Sequence, residues 1–319
     1  MTYLHESGLW YLALSLAQEL KKQGKNVYFI PKIKYVKVGN RYQKQYLDGR
    51  LEHQELILPL NLKESLSAQI NKYISFYQID VLVSFETLLE DGKWLKEINT
   101  KIIDIPMLEW VTPKYLYNSG YQVFDEIWAL TKITYQTFNQ YYQVERVKWD
   151  FVDRNIFYQK NNSKKPGFTF FHQASLNPDH TTKNTELVIQ AFLNFSENDN
   201  LRLLISGNLK QSLLKEISKS NKIKYFDKLL SRQEVASIYN TADCVVAPSS
   251  KEGLGLTLFE AKACGCQIIT TDVSPMNECS TNYLCQVAEL ELDNTLVPVA
   301  KVTFQEIYHQ MNKAYKDKK

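Results

Sequence analysis

The chain has 319 residues, of which 44% are hydrophobic and 23% are charged, a composition typical of a folded protein with two domains. Its formal net charge of +3 is too small to indicate nucleic-acid binding by itself, so any basic surface must be local. We find no apolar run long enough to cross a bilayer and no signal peptide, and we therefore expect a cytoplasmic protein with at most peripheral membrane contact.

The first half of the chain alternates between helical and strand patterns. An apolar stripe predicts a helix over residues 8–23, and a second helix is expected near 63–77. Only seven residues precede the first helix, so the first strand is a stub or the start is placed late. Short apolar runs predict strands at 27–30, 56–58, 81–83, 102–105 and 127–130. This alternation indicates a parallel sheet covered on both faces.

Residues 32–50 form a basic stretch with interleaved tyrosines. They contain six Lys or Arg residues against a single acid, Asp48. Such a loop can hold phosphates, a membrane surface or a nucleic-acid strand. The alternative is a solvated hairpin whose lysine stems lie along its own surface.

A polar, unpatterned stretch at residues 158–167 predicts a linker between domains at 1–157 and 168–302. After it we predict strands at 168–171, 201–205, 223–226, 244–248 and 267–271, and helices at 184–195, 209–219 and 303–319. A capping box at Ser231 opens one more helix. The fold class is therefore α/β, with two Rossmann-like, doubly wound domains facing across a cleft where the ligand binds.

The five cysteines all lie in the last quarter of the chain. Their number is odd and their spacing fits no common zinc motif, so we expect buried thiols in a reducing compartment and no metal site.

The strand–turn–helix–strand unit around residues 249–265 organises the rest of the chain. Its helix N-terminus points N–H groups towards the carboxyl edge of the sheet, where anions collect. Two carboxylates, Glu252 and Glu260, bracket the turn, and glycines at 253 and 255 let the backbone approach a ligand closely.

This unit resembles the signature of the retaining GT-B glycosyltransferases of the group-1, glycogen-synthase-like clan. The resemblance is strong from about residue 168 to 278 and only architectural before residue 125. It is carried by Ala242-Asp243, Pro248-Ser249, the Glu-Gly-Leu-Gly sequence from Glu252, the second glutamate Glu260, and Ala263-Cys264-Gly265, with Lys183-Asn184 upstream.

The resemblance implies a role for each of these residues. Lys183 would offset the charge of a nucleotide diphosphate, Glu252 would accept hydrogen bonds from the donor sugar, and Glu260 would bind the ribose. Residues Thr257 to Glu260 also have the form of a capping box, in which Glu260 would bind its own helix N-terminus. The local sequence alone favours this cap, whereas the whole signature favours ribose binding. The remaining donor contacts are expected at Gly253, Leu254, Gly255, Leu256, Thr257, Gln173, Phe226 and Gly8.

Two positions depart from the family pattern. Gln173 stands where family members commonly have an arginine, so one positive charge is missing unless Arg146, Arg154 or Lys251 replaces it. Where many members place a histidine, this chain has Glu109, the polar candidate for a catalytic role, beside Trp110, which could stack on a sugar. The alternative is a surface acid beside a core tryptophan.

We therefore expect a retaining, metal-independent glycosyltransferase with no cofactor other than its UDP- or GDP-linked donor substrate. The acceptor would be a hydroxyl of a glycan, a lipid or another molecule. Two alternatives remain: a glycosyltransferase acting on a nucleic-acid base through residues 32–50, and a non-catalytic nucleotide-sugar-binding protein. DNA binding at low salt would favour the first, and binding without turnover the second.

Overall fold

A computed structural model describes residues 2–3, 8–32, 34–38, 41–45, 58, 64–86, 93–117, 120–160, 167–195, 200–279 and 282–318. The chain forms two compact units, the first comprising Met1–Phe151 with Asn294–Leu296 and the second Val152–Asp293 with Val297–Lys319. This boundary precedes the predicted linker, because Val152 and Phe157 are buried in the second unit's core. Residues 161–166 of that linker lie outside the described residues.

The first unit is built around a parallel sheet. Its helices are α1 (Gly8–Lys22), α2 (Leu66–Tyr77), α3 (Pro113–Tyr117) and α4 (Lys132–Phe138). Its strands are β1 (Thr2–Tyr3), β2 (Pro31–Lys32), β3 (Lys34–Val38), β4 (Arg41–Gln45), β5 (Val81–Phe85), β6 (Lys101–Ile105), β7 (Glu126–Ala129) and β8 (Val144–Arg146). Strands β5 to β8 lie side by side in chain order and all run parallel, while β1 pairs with β2.

Several predicted elements of this unit are confirmed. The apolar stripe of α1 is buried through Leu12 and Leu16, while Lys21 and Lys22 at its end are exposed. The first strand is a two-residue stub, and α3, α4 and β8 were not predicted.

The predicted strand at residues 27–30 is wrong. The regular strand there is Pro31–Lys32, and Phe29 makes only an isolated bridge, its carbonyl accepting a 2.8 Å hydrogen bond from the Leu58 N–H. Leu58 is the described residue of the expected strand at 56–58. Within the basic stretch, β3 and β4 pair as an antiparallel hairpin, in agreement with the hairpin interpretation, and the remaining positions of residues 32–50 lie largely outside the described residues.

The second unit contains a larger parallel sheet. Its strands are β9 (Phe168–Gln173), β10 (Leu201–Ser206), β11 (Ile223–Tyr225), β12 (Cys244–Ala247), β13 (Gln267–Thr271), β14 (Tyr283–Cys285), β15 (Glu289–Glu291) and β16 (Val299–Lys301). Its helices are α5 (Thr185–Leu193), α6 (Gln211–Ile217), α7 (Arg232–Thr241), α8 (Leu256–Ala263) and α9 (Phe304–Lys316). The sheet order is β11-β10-β9-β12-β13-β14, and β15 and β16 form a separate antiparallel pair.

The two faces of this sheet carry separate cores. Side chains alternate along β9, so Phe170 packs in the core that includes Ile189 of α5 and Met311 of α9, whereas Phe171 packs in the core with Tyr239 and Ala261. The predicted terminal helix is thus an integral part of the second unit. No helix in the described part of the chain is long and apolar enough to span a bilayer.

Candidate functional site

The predicted site residues of the second unit gather where the strand order reverses. The chain builds β9, β10 and β11 outward in one direction and then returns to place β12 on the other side of β9. In open α/β sheets, ligands bind at the carboxyl edge where the strand order reverses, so the loops leaving β9 and β12 lie where a ligand site is expected.

Three hydrogen bonds join the loop before α5 to the loop after β12, and one of them runs from Ser250 Oγ to the Thr182 carbonyl over 3.3 Å. The Ser250 N–H donates to the Thr182 carbonyl over 2.8 Å, and Asn184 Nδ2 donates to the Pro248 carbonyl over 2.7 Å. Asn184 adopts a left-handed conformation with φ of 52°, which allows the chain to turn sharply into α5. These contacts place Lys183 opposite Glu252.

Lys183 and Glu252 form an ion pair between Nζ and Oε1. Their side chains are 29% and 17% exposed, so the pair is partly shielded from water and still reachable by a ligand. The structure therefore brings together the two residues predicted to bind the diphosphate and the sugar. An anion that approaches Lys183 must compete with Glu252 for the ammonium group.

The N-terminus of α8 lies directly after Glu252 in the chain. Gly255 is its N-cap residue with φ of 75°, and a Cβ at that position would lie 3.2 Å from Leu258 Cδ1. Gly253 and Leu254 are buried, and Leu256 and Thr257 form the start of the helix. The first-turn N–H groups of a helix have no intrahelical partner and carry partial positive charge, so this terminus suits an anionic ligand.

Glu260 does not form the capping box. The N-cap of α8 is Gly255, which places Thr257 inside the helix, and Glu260 is buried with Oε1 3.5 Å from Arg232 Nη2. Burial raises the pKa of Glu260 to about 7, while the charge of Arg232 and a hydrogen bond from it act in the opposite direction. The carboxylate is therefore held by Arg232 of α7 rather than used as a cap.

Two other predicted donor contacts lie at strand ends. Gln173 ends β9, and its Oε1 accepts a hydrogen bond from the Tyr239 hydroxyl over 3.3 Å. Phe226 follows β11, with its N–H bonded to the Ile205 carbonyl over 2.9 Å and Lys224 Nζ 5.0 Å from its ring centroid. Both positions face the same edge of the sheet as the loop after β12, because all these strands are parallel.

The positive charge missing at Gln173 is not supplied by Lys251, whose Nζ pairs with Asp293 Oδ2 over 2.5 Å. Arg154 is exposed, and Arg146 lies on β8 of the first unit. The sequence analysis missed Arg232, the cation that contacts Glu260. The capping box at Ser231 is present and located Arg232 at the first position of α7, but nothing in the local sequence pairs it with a residue of α8.

Two predicted residues belong to the first unit. Glu109 is partly buried in a short 3₁₀ helix, Leu108–Trp110, that follows β6. Trp110 is 53% exposed, so the interpretation of it as a core tryptophan is wrong. Gly8 begins α1, and a Cβ there would meet no described atom within 4 Å.

His172 is a structural residue. It is buried, with Nδ1 2.7 Å from the Val246 carbonyl and Nε2 2.9 Å from Thr185 Oγ1. Since a carbonyl can only accept, Nδ1 carries the proton and Nε2 accepts from the hydroxyl. Burial lowers the pKa of His172 to about 4, and Lys183 adds to this shift. His172 is thus a neutral core group at physiological pH.

We expect the contribution of His172 to the free energy of unfolding to fall as the pH drops from 6.5 to about 4. In this range the imidazole is protonated in the unfolded chain but stays neutral in the folded protein. Glu260 acts with the opposite sign between 4.5 and about 7, since its folded pKa is raised. The free energy of unfolding of wild type and of His172→Gln, measured with denaturant across this pH range, separates the contribution of His172 from that of Glu260. The stability advantage of the wild type should shrink by roughly 3 kcal/mol at most, and a pH-independent difference would contradict the assignment.

All five cysteines are buried, and none of them forms a disulfide. Among the residues that the structure describes, no group of three or more His, Cys, Asp or Glu is arranged to hold a metal ion. The thiols of Cys244 and Cys266 therefore belong to the packed core around β12 and β13.

Two α/β units with parallel sheets and a ligand edge at a strand-order reversal define a protein of the GT-B glycosyltransferase fold. The comparison with solved structures agrees. The chain matches HepE from Anabaena, in complex with UDP and glucose, with TM-score 0.55 and 14% identity over 79% of this chain and 72% of that one. It matches the pneumococcal O-GlcNAc transferase GtfA, in complex with UDP and GlcNAc, with TM-score 0.55 and 15% identity over 90% and 63%.

Residues 153–289 match the family model for glycosyl transferases group 1. A curated relative, N-acetyl-alpha-D-glucosaminyl L-malate synthase of Bacillus anthracis, is 24% identical over 155 residues, which cover 44% of this chain and 40% of that protein. The match thus spans less than half of the relative's length.

Proposed function

We propose that the protein is a retaining glycosyltransferase that moves a sugar from a UDP- or GDP-linked donor to a hydroxyl acceptor. The observation that carries the proposal is the pairing of Lys183 with Glu252 beside the N-terminus of α8. It places a cation, a carboxylate and a set of backbone donors at one edge of the sheet. A nucleotide sugar needs these three groups for its diphosphate and its sugar hydroxyls.

In the proposed reaction, Lys183 and the first-turn amides of α8 take up the negative charge that grows on the diphosphate as it departs. Glu252 accepts hydrogen bonds from donor sugar hydroxyls, and Glu260 accepts those of the ribose. The bond from the anomeric carbon to the phosphate oxygen breaks, and the bond to the acceptor oxygen forms on the same face. The acceptor proton passes to the departing phosphate, so no second carboxylate is required as a base.

The donor is proposed from chemistry and from similarity together. The two solved structures compared above hold UDP with glucose or with GlcNAc, which supports a UDP-sugar as the first donor to test. The curated relative is named for an N-acetylglucosaminyl L-malate product, so L-malate belongs in the acceptor panel beside glycans and lipids. We further propose that Lys183 and α8 provide the positive charge without a metal ion, and Glu109 remains a candidate for a catalytic role.

A nucleotide screen followed by turnover assays tests the proposal. We expect UDP or GDP to raise the melting temperature, since a ligand at a hundred times its dissociation constant stabilises by about 2.7 kcal/mol. One UDP- or GDP-sugar should then be hydrolysed or transferred, with the product α- or β-linked as in the donor and with unchanged rate in EDTA. Binding without turnover would instead make the protein a nucleotide-sugar-binding module. Failure of every nucleotide to bind would overturn the proposal.

A further inference from the structure

Arg232 occupies an unusual place beside the proposed ribose contact. It is the first residue of α7, yet its side chain is only 16% exposed. Its Nη2 lies 3.5 Å from Glu260 Oε1, and its Nη1 lies 3.9 Å from Asp153 Oδ2. The guanidinium carbon lies 5.0 Å from the centroid of the Phe157 ring. The guanidinium is thus held on three sides.

Asp153 and Phe157, the residues that contact the guanidinium, are themselves held in place. Asp153 opens a tight turn in which the Phe157 N–H donates to the Asp153 carbonyl over 2.8 Å. Phe157 is fully buried, so its ring offers a fixed surface for the planar guanidinium. Arg232 therefore has one orientation imposed by Asp153 and Phe157, and in that orientation it reaches Glu260.

We infer that Arg232 is a positioning residue for nucleotide binding, which keeps the Glu260 carboxylate charged and oriented towards the ribose hydroxyls. The inference rests on the proposed function, because it takes Glu260 to be a ribose contact. It adds a residue that the group-1 signature in this chain does not contain.

The physical argument begins with the burial of Glu260. A carboxylate accepts hydrogen bonds from two vicinal hydroxyls only when it is ionised, since the protonated acid turns one oxygen into a donor. Burial raises the pKa of Glu260 to about 7, and Arg232 is the group that opposes this rise. Without the guanidinium, a larger fraction of Glu260 would be protonated at neutral pH and would bind the ribose poorly.

The other titratable groups near Glu260 do not replace this charge. Burial and the neighbouring Glu260 raise the pKa of Tyr239 well above its usual value and that of Cys264 to about 11, so both are neutral at pH 7. Lys160 and Arg154 act on Cys264 from exposed positions. Asp153 is the competing anion, and its Oδ2 lies 3.9 Å from Arg232 Nη1.

Two substitutions at position 232 separate charge from packing. Arg232→Met keeps an unbranched chain against Phe157 and removes the charge, whereas Arg232→Lys keeps the charge. Lys228→Met is the matched control, since Lys228 is an exposed cation near the start of α7 that pairs with Glu234. The first measurement is a ¹³C NMR titration of the Glu260 carboxyl without nucleotide, assigned with Glu260→Gln. The second is calorimetric affinity for UDP from pH 6.5 to 9.

We expect Arg232→Met to move the Glu260 titration to higher pH by about one unit or more, and to weaken UDP binding about five-fold or more at pH 7 with recovery towards pH 9. Arg232→Lys should restore part of the Glu260 titration shift and part of the UDP affinity, and Lys228→Met should match wild type in both measurements. Glu260→Gln should abolish the pH dependence of UDP affinity near neutrality, which provides a test even if Arg232→Met does not fold.

Each measurement can fail separately. If Arg232→Met lowers the melting temperature but leaves the Glu260 titration and the pH profile of UDP affinity unchanged, Arg232 only holds α7 to the turn at Asp153, and the inference is overturned. If the wild type binds no nucleotide while the Glu260 titration still responds to Arg232→Met, the electrostatic coupling stands and the proposed function falls.

Discussion

Glu252→Ala is expected to lower the rate of sugar transfer by about two to three orders of magnitude, the usual cost of removing one group that stabilises a transition state. Glu252 lies beside Lys183 and directly before the glycine turn into α8, where the donor sugar is proposed to bind. Its carboxylate would accept hydrogen bonds from sugar hydroxyls that an alanine cannot replace. Because UDP alone has no sugar, its affinity should not fall in this variant.

The loss must come from the site and not from unfolding. The Glu252 ion pair is partly exposed, so its removal should change the free energy of unfolding by no more than about 1 kcal/mol. Glu289→Ala removes an exposed acid of the same unit and serves as the control, with wild-type transfer expected. The assignment is lost if Glu252→Ala turns over at the wild-type rate with the same donor.

Lys183→Ala is expected to lower kcat/KM by a similar factor, about 10² to 10³. In contrast to Glu252→Ala, it should also lower the affinity for UDP. The ammonium group contributes a point charge next to the proposed diphosphate position, and Gln173 provides no second charge there. Removal of Lys183 also leaves Glu252 as an unbalanced anion that repels the phosphates. Lys183→Arg should recover part of the affinity, because it keeps the charge with a different geometry.

Comparison of UDP with the intact donor distinguishes the two residues. Lys210→Ala, which removes a half-exposed cation in the segment before α6, should behave as wild type in both titrations. UDP affinity in Lys183→Ala should depend less steeply on salt than in wild type, since one charge contact is gone. Unchanged UDP affinity in Lys183→Ala would remove this residue from the diphosphate site.

Much of the second unit follows from local sequence. The apolar runs at β9, β12 and β13 correctly predicted buried strands, and the predicted capping box at Ser231 is present. Local rules were less useful in the first unit, where Phe29 makes only an isolated bridge and the regular strand begins at Pro31. Two-residue strands such as β1 and β2 are too short to carry a periodic signal.

The sequence by itself determined that residues 249–265 form a turn and a helix with two acids, because glycine conformations, caps and periodicity act over a few neighbouring residues. Only the tertiary structure decided what those acids touch. Lys183 meets Glu252, Arg232 meets Glu260, and Lys251 is bound to Asp293, because folding packs together elements that are far apart in the sequence. The Thr257 capping box was decided in the same way, since the left-handed Gly255 began the helix earlier and freed Glu260 for Arg232.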